Sequence, residues 1–428
     1  MSRFASCRVV DELGSNGEIS LYRVIRLDDQ ARLIAKTTAG RHASSGMIAA
    51  FHFEYEELLR HKGAGTVEPV GLEMEADRPV LYFRDPGGVT LEQAMQTRRA
   101  SLKFEQLLEA AIAITDCVCR LHQNHVTLHE ITPLSFILDD SLQAASLLDL
   151  RRSSSMHERS PLFLSSGMPD ESLPYLSPEQ TGRTGRTPDY RSDLYSLGVI
   201  LYRWFAGCLP FQASNVLDLV HLHLTASAEP VHLKNRSIPK IISEIVQKCM
   251  EKMPEDRYAS AAGLRLDFEE CRVRFRVSGK VRPFPLATRD VAKQWMVPEE
   301  MFARPAEQQR LIAAYHRAVT GMGGVVRVSG AAGVGKTSFV LGTLRRMVQA
   351  DHFFATSTSR YPGTARQPMW VQLMEELISQ LLAFDAIGSK LWRIRFMWEL
   401  QGNGRVLLEK VPRLELLTGK QPDVPELP

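Results

Sequence analysis

With 428 residues, 44% hydrophobic and 24% charged, the chain has the composition of ordinary globular protein and the length for two or three cores, which excludes disordered and fibrous classes. A formal net charge of +3 with scattered arginines gives no electrostatic case for nucleic-acid binding, and no stretch reaches the roughly 18 apolar residues of a membrane span. Six cysteines lie far apart, and the closest pair, Cys117 and Cys119, falls two residues apart on a predicted helix, so neither disulfides nor zinc are expected. That cysteine usage and an N-terminus without an apolar h-region point to a cytoplasmic protein.

The first 85 residues alternate short β-rich runs, at 21–25 and 80–83, with one helical stretch near 46–61, which predicts a small β-dominated lobe. From Leu91 the pattern turns helical, with apolar residues at i, i+3 and i+4 spacing over 104–122 and again over 193–205. Residues 278–290 carry two prolines, a glycine and no periodicity, which suits a linker. Beyond it, residues 305–319 read as a helix, 325–328 as a short buried strand, and 338–347 as a second helix.

Leu176-Ser177-Pro178-Glu179-Gln180 is similar to the close of a kinase activation segment, and Asp193-Leu194-Tyr195-Ser196-Leu197-Gly198 to the start of the buried helix anchoring the C-lobe. Residues 207–211 and Pro254-Glu255-Asp256-Arg257-Tyr258 match late kinase segments, with Arg257 the implied partner of Glu179 and Asp193 an architectural residue holding the catalytic loop.

The resemblance also assigns the parts of the active site. Lys36, in Leu33-Ile34-Ala35-Lys36, is the candidate for the α/β-phosphates, and Glu54 on the next helix its ion-pair partner. The glycine-rich loop reads Gly14-Ser15-Asn16-Gly17-Glu18-Ile19, keeping the first glycine while Asn16 and Ile19 stand where the second and third belong. Aligned on Pro133, residues 128–138 place Glu130 at the catalytic base, Thr132 at the phosphate-steadying lysine and Ser135 at the metal-binding asparagine. Asp149-Leu150-Arg151 stands for Asp-Phe-Gly, leaving Asp149 as the magnesium carboxylate. A glutamate base accepts a hydroxyl proton, but its extra methylene shifts the carboxylate by about 1 Å, which costs roughly 100-fold.

Further along, Gly330-Ala331-Ala332-Gly333-Val334-Gly335-Lys336-Thr337 spells GxxxxGKT, whose glycines let several backbone N–H groups point at one phosphate. Lys336 adds a positive charge and Thr337 a hydroxyl for magnesium. After Thr337 no apolar strand ends in paired acids; Glu375-Glu376 falls in a helical pattern and Asp385 after a helix end, so this half is expected to bind nucleotide and hydrolyse it poorly.

A kinase-like part joined to such a loop resembles a bacterial family of large signalling proteins in which a serine/threonine kinase-like domain precedes an AAA-type ATPase module, often with sensor and histidine-kinase modules after it. Ser177-Pro178-Glu179-Gln180-Thr181-Gly182-Arg183, residues 284–290 and Met301-Phe302-Ala303-Arg304 carry that resemblance, with Arg304 read as a surface residue. Residues 411–422 resemble a stretch that precedes the Walker B acid in the family. The expected architecture is an α+β bilobal protein-kinase-like domain over 1–275, with an N-lobe to about 87 and a C-lobe from about 88, followed by a linker over 276–300 and the N-terminal part of an α/β P-loop NTPase domain over 301–428. The family implies ATP and Mg2+ as cofactors and a protein substrate or signalling partner, with downstream modules outside this chain. Two readings stay open: transfer of the ATP γ-phosphoryl to a protein Ser or Thr through Lys36, Asp149 and Glu130, or a pseudokinase scaffold coupled to a nucleotide switch. A nucleotide-dependent transcription regulator would need a DNA-binding segment, and none is found.

Overall fold

The computed structural model describes residues 4, 6–40, 43, 45–75, 77–156, 170–181, 184, 186, 188–213, 215–290, 305–331, 334–336, 339–340, 343, 370–371, 373–374, 377–378, 394–400, 404–408, 410–411, 414 and 418. The chain divides into two compact units, residues 1–163, 167–181 and 187–293 forming the first and residues 294–428 with 164–166 and 182–186 the second.

The first unit opens on an antiparallel sheet of β1 (Cys7–Ser15), β2 (Ile19–Arg26), β3 (Arg32–Thr38), β4 (Pro69–Glu75) and β5 (Arg78–Arg84), in spatial order β1-β2-β3-β5-β4. Helix α1 (Ser45–Arg60) enters between β3 and β4. The period of two sorts the strands into faces. Tyr22, Val24, Leu33, Ala35, Val80 and Tyr82 pack with Phe4 on one side, while Leu21, Ile34, Leu81 and Phe83 join Phe51 of α1 in the main core on the other. Lys36 shares the parity of Ile34 and pairs with Leu21 and Leu81, so the alternation that builds the lobe also delivers its ammonium to the inner face.

A short three-stranded sheet, β6 (Val89–Thr90), β8 (Phe136–Leu138) and β9 (Ala145–Leu147), begins the second lobe, with β7 (Val126–Thr127) pairing β10 (Ser154–Ser155). Helices α2 (Leu91–Thr97), α3 (Phe104–Gln123) and α4 (Tyr190–Ala206) follow, then α5 (Val216–Thr225), α6 (Val231–Lys234), α7 (Lys240–Cys249) and α8 (Ala261–Ser278). Helix α4 is buried on nearly every side, as its hydrophobic circumference requires, and Trp204 Nε1 donates to Leu107 O of α3 at 2.8 Å. It ends at Gly207, whose φ of 88° supplies the left-handed cap that a Cβ would oppose, here against the Arg99 guanidinium.

Part of the stretch read as linker is anchored. Residues 276–278 complete α8, and Phe284, Leu286 and Ala287 pack against the core of the helical lobe. Asp290 accepts from Ala259 N at 2.5 Å and Ser260 Oγ at 2.7 Å, and Asp267 Oδ2 accepts from Ala287 N at 2.8 Å. None of the six cysteines forms a disulfide, and no described helix is long and apolar enough to cross a membrane.

In the second unit, α9 (Pro305–Val319) forms over the residues that the periodicity predicts. The strand expected over 325–328 does not: residues 322–331 are irregular and exposed, with Val325 98% accessible. A buried strand holds its backbone by pairing with neighbours, and the described residues of this unit include none. Residues 336, 339, 340 and 343 are helical, and Val371, Ile378, Val411 and Leu414 form a small apolar cluster.

Candidate functional site

The inner face of the sheet and the loops of the helical lobe meet around Lys36. Its Nζ stands 2.6 Å from Glu54 Oε1 and 3.2 Å from Asp149 Oδ2, and donates to Leu148 O at 3.1 Å. The side chains of Lys36 and Glu54 are fully buried. Glu54 Oε1 also accepts from Leu150 N at 2.9 Å, tying α1 to the Asp149 segment. Burial pushes the Glu54 carboxyl up to about 7, against the pull of Lys36, and Oε2 has no hydrogen-bond partner among the described residues.

The loop that would carry the base is held from below. Asp193, at the start of α4, accepts from Leu128 N and His129 N, each at 2.8 Å, and His122 Nε2 lies 2.9 Å from the same carboxylate. His129 adopts a φ of 62°, a left-handed conformation uncommon for a side-chain-bearing residue. Gln180 Nε2 donates to His129 O, so the activation-segment close also grips this turn. Glu179 beside it is locked by Arg257, Nη1 to Oε1 at 2.6 Å and Nη2 to Oε2 at 2.8 Å.

Glu130 projects from this loop already engaged. Ser172 Oγ donates to Oε1 at 2.6 Å and Arg152 Nε lies 2.5 Å from Oε2. Thr132 and Ser135, the positions aligned with the lysine and asparagine of the family, bond each other: Thr132 N donates to Ser135 Oγ at 3.2 Å, and the two hydroxyls are 3.3 Å apart.

Asp149 is engaged more fully still. Arg151 Nε lies 3.2 Å from each of its carboxylate oxygens and Nη2 3.0 Å from Oδ2, while Nη1 reaches Glu18 Oε2 at 2.9 Å. Burial opposes ionisation of Asp149, but Arg151 and Lys36 outweigh it and hold the carboxyl well below the usual range. Burial likewise opposes the charge of Arg151, and Asp149 leads the groups that restore it and drive the guanidinium higher.

The glycine-rich loop is a tight turn between β1 and β2. Asn16 Oδ1 accepts from Ile19 N at 2.9 Å and Glu18 N at 3.3 Å, so two of the amides that could face a phosphate are already paired. A narrow pocket remains beneath it, lined by Asn16, Ile19, Leu21, Lys36, Glu130 and Asp149 among others.

This arrangement does not fit magnesium on Asp149 and Ser135, the ligands the sequence nominates. A magnesium ion needs oxygens at about 2.0–2.1 Å in octahedral geometry. Both Asp149 oxygens face cationic nitrogens instead, and the Ser135 hydroxyl is committed to Thr132. No cluster of three or more His, Cys, Asp or Glu suited to a metal occurs among the described residues.

The structure therefore brings Lys36, Glu54, Glu130 and Asp149 together, with the Gly14 turn above them. Sequence reasoning missed Arg151, Arg152, Glu18 and Ser172. The signal was on view for the first: an arginine where the glycine of Asp-Phe-Gly belongs is a gained charge as well as a lost glycine.

In the second unit, Lys336 Nζ donates to Gly330 O and Ala331 O, each at 2.8 Å, and Gly335 has a φ of 86°. The lysine thus closes back over its own loop. Gly333, Thr337, Arg304, Glu375, Glu376 and Asp385 lie outside the described residues.

A family model described as a protein kinase domain matches residues 8–268. The chain belongs to the protein kinase family. An AAA ATPase domain model matches residues 300–419, giving the kinase domain a P-loop NTPase neighbour. The kinase part is similar to "Hybrid signal transduction histidine kinase G" of Dictyostelium discoideum, 29% identical over 274 residues, covering 59% of this chain and 8% of that protein. It is similar as well to a probable serine/threonine-protein kinase of Clostridium perfringens, at 28% over 214 residues, 50% of this chain and 30% of the relative. With serine/threonine-protein kinase PknB of Mycobacterium tuberculosis it shares 24% over 262 residues, 59% of this chain and 40% of that one. The chain thus spans less than half the length of these relatives. As a protein kinase domain it keeps the Lys36–Glu54 pair and the Asp193 support, while arginines lie on the Asp149 and Glu130 carboxylates.

Proposed function

We propose that this chain is part of a signalling protein in which the kinase domain binds nucleotide and acts as a regulatory module with phosphotransfer held off, coupled to a second nucleotide site at the P-loop. One observation carries the reading: Arg151 sits on Asp149 and Arg152 on Glu130, so the metal carboxylate and the base carboxylate are both neutralised from within the chain. The P-loop half would hold phosphates through Gly330, Gly333, Gly335 and Lys336, with Thr337 reaching a bound Mg2+. The names of the relatives, histidine kinases and serine/threonine kinases, support a protein as the partner. A cytoplasmic setting agrees with six cysteines that form no disulfide.

A second reading, slow phosphotransfer from ATP to a protein Ser or Thr, draws support from the Lys36–Glu54 pair and from an ionised Asp149 3.2 Å from Lys36. Radiolabelled ATP incubated with the wild type, Lys36→Ala and Lys336→Ala separates the two. The regulatory reading expects label bound by each site and transferred by neither; transfer by the wild type that disappears in Lys36→Ala overturns it in favour of the enzyme.

A further inference from the structure

We propose that the kinase cleft takes the polyphosphate of a nucleotide without a divalent cation, on the guanidinium of Arg151, and that Glu18 covers this guanidinium until the nucleotide arrives. The inference rests on the nucleotide-binding reading above and specifies its chemistry.

Arg151 is a two-sided residue. Its Nε and Nη2 edge lies on Asp149, which fixes the plane of the guanidinium, while Nη1 turns to Glu18 Oε2 at 2.9 Å. Only 4% of the side chain is exposed, and Nη1 is covered by Glu18 and by Met47 Sδ at 3.9 Å, beside the Asp149 edge of the cleft. Planar guanidinium groups match phosphate and carboxylate oxygens alike, because both present acceptor pairs at similar spacing. Glu18 therefore holds the position a phosphate oxygen would take, and it is carried there by the glycine turn, the element that must lie over the phosphates in any kinase-like pose.

The surrounding groups leave that task to Arg151. The amides of Glu18 and Ile19 are spent on Asn16 Oδ1, and position 132 carries a threonine whose hydroxyl is shared with Ser135. Lys36 lines the cleft and Arg151 lies beside it, both against Asp149, while Arg152 is taken up by Glu130 and stands 3.7 Å from the other Glu18 oxygen. A magnesium ion brought to Asp149 would have to expel the guanidinium from it; a phosphate has only to replace one carboxylate by another anion. The exchange of Glu18 for phosphate leaves every Arg151–Asp149 bond in place.

The test uses the full chain carrying Lys336→Ala, which suppresses the P-loop contribution, and an N-methylanthraniloyl derivative of ATP as the fluorescent probe, titrated in excess EDTA and in excess magnesium. The parent is expected to bind within about threefold in both buffers, and Lys36→Ala to abolish the signal. Arg151→Gly should weaken binding in EDTA by about tenfold or more, the value of a charge-assisted pair, and make magnesium favourable. Glu18→Gln, at a partly exposed turn position, should tighten binding in EDTA by several-fold, since it removes the competing anion without touching the fold. Binding that needs magnesium in the parent overturns the inference and leaves the regulatory reading standing. So does a Glu18→Gln protein that binds no more tightly than its parent, whatever becomes of Arg151→Gly. No binding in either buffer, or binding that survives Lys36→Ala, overturns nucleotide binding at this cleft altogether.

Discussion

Arg152 Nε stands 2.5 Å from Glu130 Oε2, so the carboxylate at the base position is matched by the residue that follows the Asp149–Arg151 pair in the chain. Two consecutive arginines thus cover two carboxylates that are 19 positions apart in sequence, Glu130 and Asp149. Freeing one should not suffice. Arg152→Ala is expected to leave transfer from radiolabelled ATP at background, because Arg151 still holds Asp149. The double variant R151G/R152A should raise it to about 0.01–1 s−1, roughly 100-fold below ordinary kinases because Glu130 is one methylene too long. Equal transfer in Arg152→Ala alone would place the block at Glu130 only.

The Arg257–Glu179 pair makes a different prediction, about stability. The guanidinium gives its hydrogen bonds to both Glu179 oxygens and to the carbonyls of Glu251, Arg191 and Lys252, with the side chain fully buried. Arg257→Ala leaves Glu179 charged and unmatched and should cost about 3–5 kcal/mol by urea denaturation. Arg257→Lys, with three donors in place of five, should recover less than half of that loss. Full recovery by lysine would mean that charge alone, without the fork, sustains the site.

Much of this architecture was legible beforehand, for definite reasons. The parity of Leu33-Ile34-Ala35-Lys36 assigns the lysine to a face before any contact is known, and the 3.6-residue spacing gives α3, α4 and α9. The magnesium ligation expected of Asp149 and Ser135 meets an arginine that motif reading did not weigh, because such reading scores what a position has lost. Arg151 had lost a glycine's freedom and gained a buried charge, and only its 3.0 Å approach to Asp149 reveals the gain. The strand at 325–328 failed for the opposite reason: β structure is a property of pairs, and apolar content in one segment does not supply the partner.

Acid should weaken the helical lobe through His223. Burial, with Lys252 adding to it, pushes this imidazole down from 6.5 to about 3, and its Nδ1 stands 2.9 Å from the Tyr195 hydroxyl. A depressed histidine binds its proton more readily in the unfolded chain, so its contribution is complete above about pH 6.5 and is lost as pH falls toward 3. The loss should reach about 2–4 kcal/mol. Glu54 runs the other way: its pKa is raised to about 7, so its share is complete below about 4.5 and fades as pH rises through 7. Urea midpoints between pH 4 and 7.5 should rise with pH in the wild type and flatten toward the Glu54 trend in His223→Gln; an unchanged slope in that variant would remove His223 from the account.

Asp290 pins the strip 281–290 to the start of α8 through Ala259 N and Ser260 Oγ. Asp290→Ala should cost about 1–2 kcal/mol and leave two donors without their acceptor. Hydrogen exchange at the Ala259 amide should accelerate, and trypsin should cut at Arg282 or Arg289 earlier than in the wild type. Unaltered cleavage at both would show that Phe284 and Leu286 alone suffice to hold the strip.

The Asn16 side chain gives the glycine turn a mechanical property. Because its Oδ1 satisfies the amides of Glu18 and Ile19 locally, the turn needs nothing from a ligand to keep its shape. It should therefore swing as a preformed tip on the β1–β2 ribbon, releasing the Glu18 contacts with Arg151 and Arg152 without unravelling, so that the free energy of opening resides largely in the ion pairs of one carboxylate. A latch of that kind is set by a single charge, and its stiffness should soften with salt.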